Sequence, residues 1–224
     1  MSNGQGIFIV AGARTAIGTF GGALASFRPA ELGAIVIREA IDRAGIAGAD
    51  VQNVVIGTVV PTQPKDAYVS RVAAVNAGIP IDAPAMNVNR LCGSGLQAIV
   101  SAAQAIALGE HDVAVAGGAE SMSNAPHMVL SARNGQKMGN IEMVDAMLGA
   151  LHDPFENIHM GVTAENVAER CGISREEQDA VAVESHKRAA AAIAAGYFKE
   201  QIVPVEIKTR KGVTIFDTDE HVRA

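Results

Sequence analysis

Cys92 stands where an extended stretch meets a long apolar run, in Asn87 to Leu96 (N-V-N-R-L-C-G-S-G-L), and two glycines flanking a serine follow it at once. Three effects converge at such a junction. Free N–H groups and the dipole at a helix start favour the thiolate, which is the attacking form of a cysteine. Glycines beside the sulfur remove bulk, so that a large substrate can approach. A sharp strand-to-helix turn lifts the side chain out of the packed layer, as the serine nucleophile elbow does in another fold, and a backbone N–H beside it can stabilise an oxyanion. A plainer reading competes: a lone cysteine is usually a small buried hydrophobe, and glycines also serve close helix packing. The residues alone leave both readings open. Cys171, in C-G-I-S between two expected helices, reads as structural. The two thiols have no metal spacing, no C-x-x-C and no disulfide framework, and a reducing compartment disfavours pairing them.

The elements that must position Cys92 are legible from periodicity and punctuation. Ile7 to Ala11 is an apolar run stopped by Gly12 and predicts a buried strand. Pro29 opens a helix whose apolar residues recur at helical spacing up to Gly45. Val54 to Val60 predicts a second buried strand, and Tyr68 to Ala77 a helix ending at Gly78. Ala85 to Asn89 is extended. Gly93 to Leu108 predicts a helix so apolar that it should be buried on most faces, and Val113 to Ala116 another strand. This alternation argues for an α/β sheet with helices on both faces. After residue 120 the chain turns polar, Met-rich and irregular. Helices are then expected near Met143 to Leu151, Thr163 to Arg170 and Arg175 to Ala195, the last opened by a Ser174–Glu177 capping box. Ile202 to Lys208 and Val213 to Phe216 read as strands. The expected division is an α/β domain over 1–120 and a loop domain with the start of a return to the sheet over 121–224. The ending reads as an interruption.

With 49% hydrophobic residues, 23 glycines and no tryptophan among 224 residues, the core is expected to be built from small aliphatic side chains. Such close packing suits a subunit that buries surface against a partner. A net charge of −6 argues against nucleic acid. Arg133 to Lys137 and Lys208 to Lys211 are the clearest basic clusters, and a solvated surface is the favoured reading of each. Met1 to Gly6 has neither a basic start nor an apolar signal core, and no stretch is long enough for a membrane span. A soluble, cytoplasmic protein is expected.

Four motifs carry a resemblance. N-R-L-C-G-S-G-L-Q-A-I-V-S-A-A-Q-A-I with V-A-V-A-G-G-A-E-S-M-S-N-A-P-H, the early A-R-T-A-I-G-T-F-G-G (Ala13 to Gly22) and H-M-G-V-T-A-E-N-V-A (His159 to Ala168) resemble, in order, segments of the thiolase family. The similarity runs from about residue 7 to the end and is nearest the acetyl-CoA acetyltransferase and short-chain β-ketothiolase branch. It implies a layered thiolase-type fold and coenzyme A thioesters as substrates, with no bound cofactor and no metal. Cys92 would be acylated by an acyl-CoA and then attacked by the carbanion of acetyl-CoA, or, in reverse, a 3-ketoacyl-CoA would be cleaved. His159 and Met160 match a pair beside the pantetheine and acyl group, and Leu151 matches a residue near the CoA. Ser121 to Lys137 matches a loop that joins dimers into tetramers, so His127 is expected at an interface of a homo-oligomer.

The family's remaining groups, an asparagine in N-E-A-F, a histidine in G-H-P and an acid/base cysteine in C-x-G-G-G, have no counterpart in these residues. The chain is therefore expected to hold the first half of a two-part fold, and to be inactive without the second. One departure lies inside the matched half: Asp66 to Arg71 (D-A-Y-V-S-R) stands where many members carry an N-P-A-R-like run. Two other readings remain within enzymes, a degradative thiolase for longer chains and a condensing enzyme fed by an acyl carrier protein. The H-M pair and the long insertion argue against the carrier protein. A non-catalytic acyl-CoA-binding or assembly subunit is the alternative of another class. Without G-x-G-x-x-G or a P-loop, nucleotide enzymes are poor candidates.

Overall fold

A computed structural model describes residues 6–210 and 212–223. Met1 to Gln5 of the expected leaderless start, Lys211 of the second basic cluster and Ala224 lie outside the described residues. In chain order the elements are β1 (Arg14–Thr15), α1 (Pro29–Ala44), β2 (Asn53–Gly57), α2 (Val69–Asn76), β3 (Ala85–Val88), α3 (Ser94–Ala107), β4 (Ala114–Gly118), β5 (His127–Met128), β6 (Val144–Asp145), α4 (Ala146–Ala150), α5 (Met160–Cys171), α6 (Arg175–Ala194), β7 (Ile202–Val203), β8 (Val205–Thr209) and β9 (Gly212–Phe216). They form two compact units. One runs up to Asn124 and takes in Glu200–Glu220, and the other is Ala125–Lys199 with the residues after Glu220.

The first unit is the α/β part. Its parallel sheet has the order β3-β2-β4, with Val54 opposite Ala85 on one side and Val115 on the other. Val54 and Ile56 pack on Ile37 and Ile41 of α1 and Val69 and Ala73 of α2, while Val55 packs on Ala98 and Ala102 of α3. A central strand covered on both faces reads as the unbroken run V-V-I, which is why the strand was legible without alternation. Helix α1 starts with Pro29 at its first position and Glu31 accepting the Arg28 N–H at 2.7 Å. It stops at Gly45, whose φ of 68° suits glycine and lets its N–H close on Asp42 O.

Two expectations fail in this unit. Ile7 to Ala11 forms no strand, and Phe8, Ile9 and Val10 are about four-fifths exposed. A strand exists only as a member of a ladder, and no described residue offers this run a backbone partner. Helix α3 is not buried on most faces: Ser94, Ala98 and Ala102 form one covered stripe, while Leu96 and Val100 are exposed. It has β2 and β4 beneath it, and nothing among the described residues of this unit covers its other apolar faces.

The early motif is fastened by the end of the chain. β1 runs parallel to β7, Arg14 opposite Ile202. The Arg14 guanidinium donates to both oxygens of Asp219, at 2.7 and 2.9 Å, and Asp219 also accepts the Ile17 N–H at 2.8 Å. Glu220 accepts from the Thr19 N–H at 2.8 Å and from its hydroxyl at 3.1 Å.

In the second unit β5 and β6 pair antiparallel, and α5 and α6 follow. The Ser174–Glu177 capping box is present. The helix expected from Met143 begins at Ala146 instead, because Asp145 caps it by accepting the Met147 and Leu148 N–H groups. No helix among the described residues is long and apolar enough to cross a membrane.

Candidate active site

Cys92 lies on the connection from β3 to α3, with a free, exposed thiol. The connection is a turn with one residue in left-handed backbone, Leu91 at φ 47°. That conformation is costly for a side chain with a Cβ, and four bonds hold it. The Leu91 N–H donates to Asn89 Oδ1 at 3.0 Å, the Arg90 N–H donates to Ser94 Oγ at 2.8 Å, the Ser94 hydroxyl donates to Leu91 O at 2.6 Å and the Ser94 N–H donates to the same carbonyl at 3.0 Å. The cap of α3 is Gly93, with no side-chain cap bond; the Ser94 N–H is taken by Leu91 O, and the N–H groups of Gly95 and Leu96 follow at the helix start without a capping side chain. An anion at this place gains from those dipoles.

Close backbone approach sets where the turn sits. A Cβ on Gly57 would stand 2.5 Å from the Ser94 carbonyl carbon and 2.7 Å from the Gly95 N, so only glycine lets the end of β2 meet the start of α3. Ala119 N–H donates to Gly57 O at 3.0 Å, tying β4 to the same point. Asn87, two residues before Asn89, accepts the Ser70 N–H at 2.8 Å and donates to Ala67 O at 3.1 Å, which fastens the departing segment 66–70 to β3. In that segment Asp66 is buried and accepts from both the N–H and the hydroxyl of Thr62.

Glu120, just past β4, accepts the Val59 and Val60 N–H groups at 2.8 and 3.2 Å. Burial pushes its carboxyl above the usual carboxylate value. The two backbone donors oppose that rise, and the charge of Asp66 adds to it.

Leu151, His159 and Met160, expected from the sequence to contact the substrate, belong to the other unit, where the fold brings them together on one short ribbon. The Met160 N–H donates to Leu151 O at 2.8 Å, the Asp153 N–H donates to Ile158 O at 2.8 Å, and His152 bridges to His159. Asp153 Oδ2 accepts the Phe155 and Glu156 N–H groups and closes the turn between. His159 caps α5 by accepting the Gly161 N–H on Nδ1 at 3.0 Å. His159 and Met160 are exposed and Leu151 is half-buried. His127, expected at an interface, is exposed and lies 3.9 Å from Asp145. Cys171 is not a core residue: it ends α5 as an exposed thiol before Gly172. Among the described residues no group of three His, Cys, Asp or Glu side chains could hold a metal ion.

Asn87, Asn89, Ser94 and His152 escaped the sequence reading. Asn89 had a local signal, an asparagine two residues before the N–H that it accepts. Asn87 had none, because its partners lie across the fold.

Comparison with known proteins gives a consistent picture. The family profile described as "Thiolase, N-terminal domain" matches residues 7–224. The beta-ketothiolase BktB of Cupriavidus necator is 65% identical over 217 residues, which is 97% of this chain and 55% of that protein. The acetyl-CoA acetyltransferase of Pseudomonas aeruginosa is 46% identical over 98% of this chain and 56% of its own length. Among solved structures, the acetyl-CoA acetyltransferase of Bacillus anthracis superposes with a TM-score of 0.93 at 44% identity, and human mitochondrial 3-ketoacyl-CoA thiolase with 0.93 at 39%. Each match covers 96% of this chain and 55% of the solved one. The chain thus spans about half the length of the curated relatives it matches.

Proposed function

The chain belongs to the thiolase family, and from that premise we propose that it is the nucleophile-bearing part of an acetyl-CoA C-acetyltransferase acting through an acyl-thioester on Cys92. The observation that carries this is the exposed Cys92 thiol, held by the left-handed Leu91 turn beside the uncapped first turn of α3. In the forward direction Sγ attacks the carbonyl carbon of an acyl-CoA, and coenzyme A leaves as its thiol. The acyl group then rests on Cys92 until the carbanion of acetyl-CoA takes it up, which frees Cys92 and yields a 3-ketoacyl-CoA. The Cys92 N–H is the proposed oxyanion donor. Leu151, His159 and Met160 are proposed to contact the CoA thioester, and their gathering on one ribbon supports a shared role. A homo-oligomer of dimer or tetramer size is the proposed assembly.

The G-H-P histidine and the C-x-G-G-G cysteine, which the family resemblance makes the activating base and the source of the carbanion, have no counterpart in these residues. The chain alone is accordingly proposed to accept an acyl group but not to complete condensation. The test is the intact mass of the chain after incubation with acetyl-CoA. One acetyl group mapped to Cys92, and lost in Cys92→Ala, is expected, with no acetoacetyl-CoA formed. An adduct on Cys171 instead, or turnover at ordinary enzyme rates, would overturn the reading. The similarity to proteins named beta-ketothiolase and 3-ketoacyl-CoA thiolase supports a second reading, in which longer acyl chains are the substrates. Rates on acetoacetyl-CoA and longer 3-ketoacyl-CoA thioesters with the full-length protein separate the two.

A further inference from the structure

We propose that His152 is a positioning residue that holds the His159 ring in one orientation and one tautomer, so that the proposed acyl-CoA site offers a single defined ring donor. The inference rests on the reading of His159 as a thioester contact, and it adds a residue to which no role in that site has been given.

Four observations carry it. First, the two histidines face each other across the ribbon, and the Leu151–Met160 and Asp153–Ile158 backbone bonds on either side fix their register. Second, the rings meet edge to face, with centroids 5.4 Å apart and planes at 86°, the arrangement that aromatic quadrupoles favour. Third, His152 Nδ1 lies 2.6 Å from Leu148 O. A carbonyl oxygen only accepts, so this nitrogen carries the proton, and the ring is anchored on α4. Fourth, His159 Nδ1 accepts the Gly161 N–H. In the neutral ring its proton is therefore on Nε2. The two imidazoles are locked in opposite tautomers, each by a backbone partner at the end of a different helix, with the ring contact joining them. His159 is exposed. The Gly161 bond sets the tautomer, and the His152 ring is the second contact that holds its plane. Without that ring the exposed imidazole can swing off the single Gly161 N–H and exchange tautomers in water.

The test is a long-range proton–nitrogen NMR spectrum of the chain with nitrogen-15 histidine, taken near pH 8.5, about two units above the ordinary histidine value. His152→Ala, His152→Phe and His159→Gln assign the signals and test the role. In the wild type an Nδ1–H pattern is expected for His152 and an Nε2–H pattern for His159. His152→Ala should move His159 to the averaged pattern of a free imidazole. His152→Phe keeps the ring contact, loses the Leu148 bond and should restore the Nε2–H pattern. A wild-type His159 that is already averaged, or one unchanged in His152→Ala, overturns the positioning role. Far-ultraviolet circular dichroism of each variant, expected to match the wild type, distinguishes loss of the lock from loss of the fold. Adding coenzyme A to the same samples tests the underlying reading separately. A locked His159 whose signals do not respond to coenzyme A would reject the thioester contact while leaving the His152–His159 lock in place.

Discussion

The Ser94 hydroxyl donates to the Leu91 carbonyl at 2.6 Å and accepts the Arg90 N–H at 2.8 Å, so one buried side chain ties both sides of the turn that carries Cys92. Serine can do this because its oxygen is donor and acceptor at once. Ser94→Ala leaves an amide and a carbonyl without those bonds, and a loss of roughly 2 kcal/mol is expected. The check is a urea titration together with iodoacetamide labelling, using Cys171 as an internal reference thiol. The Cys92 to Cys171 labelling ratio should fall several-fold, and an unchanged ratio would show that Ser94 does not hold the thiol in place.

Leu91 gives a test of backbone strain. Its side chain is 59% exposed, so little packing is at stake. Leu91→Gly relieves a left-handed residue but frees the unfolded chain, and the two effects should leave stability within about 1 kcal/mol of wild type. Leu91→Val puts a β-branched residue at φ 47° and should cost about 1–2 kcal/mol. Equal denaturation midpoints for the two variants would argue against the strained turn.

Gly57→Ala should be severe. The new methyl would press on the Ser94 and Gly95 backbone at 2.5–2.7 Å, and backbone yields less readily than a side chain. A cost of about 3 kcal/mol and a displaced α3 start are expected. Gly117→Ala on the neighbouring strand meets nothing within 4 Å and serves as the control. Thermal unfolding of both variants decides, and comparable losses would contradict the close-approach argument.

Acid should loosen the clamp between the chain's two ends. The Arg14 guanidinium holds the Asp219 carboxyl below its ordinary value of 3.8 against the opposing effect of burial, with help from the Ile17 N–H. A carboxylate whose folded value is depressed contributes stability above its unfolded value, and that contribution is lost as pH falls toward the folded value. Asp219→Asn is expected to be less stable at neutral pH by about 1–2 kcal/mol. It should also lose less stability than wild type between about pH 5 and pH 3. Parallel stability curves for the two proteins over that range would refute the assignment.

How much of this could be read from the sequence varies with the range of the interaction. Pro29 and Gly45 bound α1 because each acts on its own backbone. The V-V-I run announced a strand buried on both faces, and the Ser174–Glu177 box is a three-residue affair. Cys92 itself was legible only as far as its glycines and the helix behind it. Leu91 was not, since nothing in a leucine signals a left-handed turn that Asn89 and Ser94 impose from either side. Ile7 to Ala11 and α3 misled for one reason: apolar composition states what a segment would bury, whereas exposure depends on what stands opposite it. His152 was invisible because its meaning depends on a register seven residues wide, set by the turn at Asp153.

Because β1 lies beside β7 and Arg14 clasps Asp219 from 205 positions away, the first unit is interrupted in sequence by the second. A ribosome adding about 5–20 residues each second needs roughly 4–15 s to pass Ala125–Lys199 alone. Through that interval the motif loop from Ala13 to Gly22 has emerged while its clasp has not yet been made. The order of birth is therefore not the order of completion: the unit that begins first waits for residues that are made only after Ala125–Lys199.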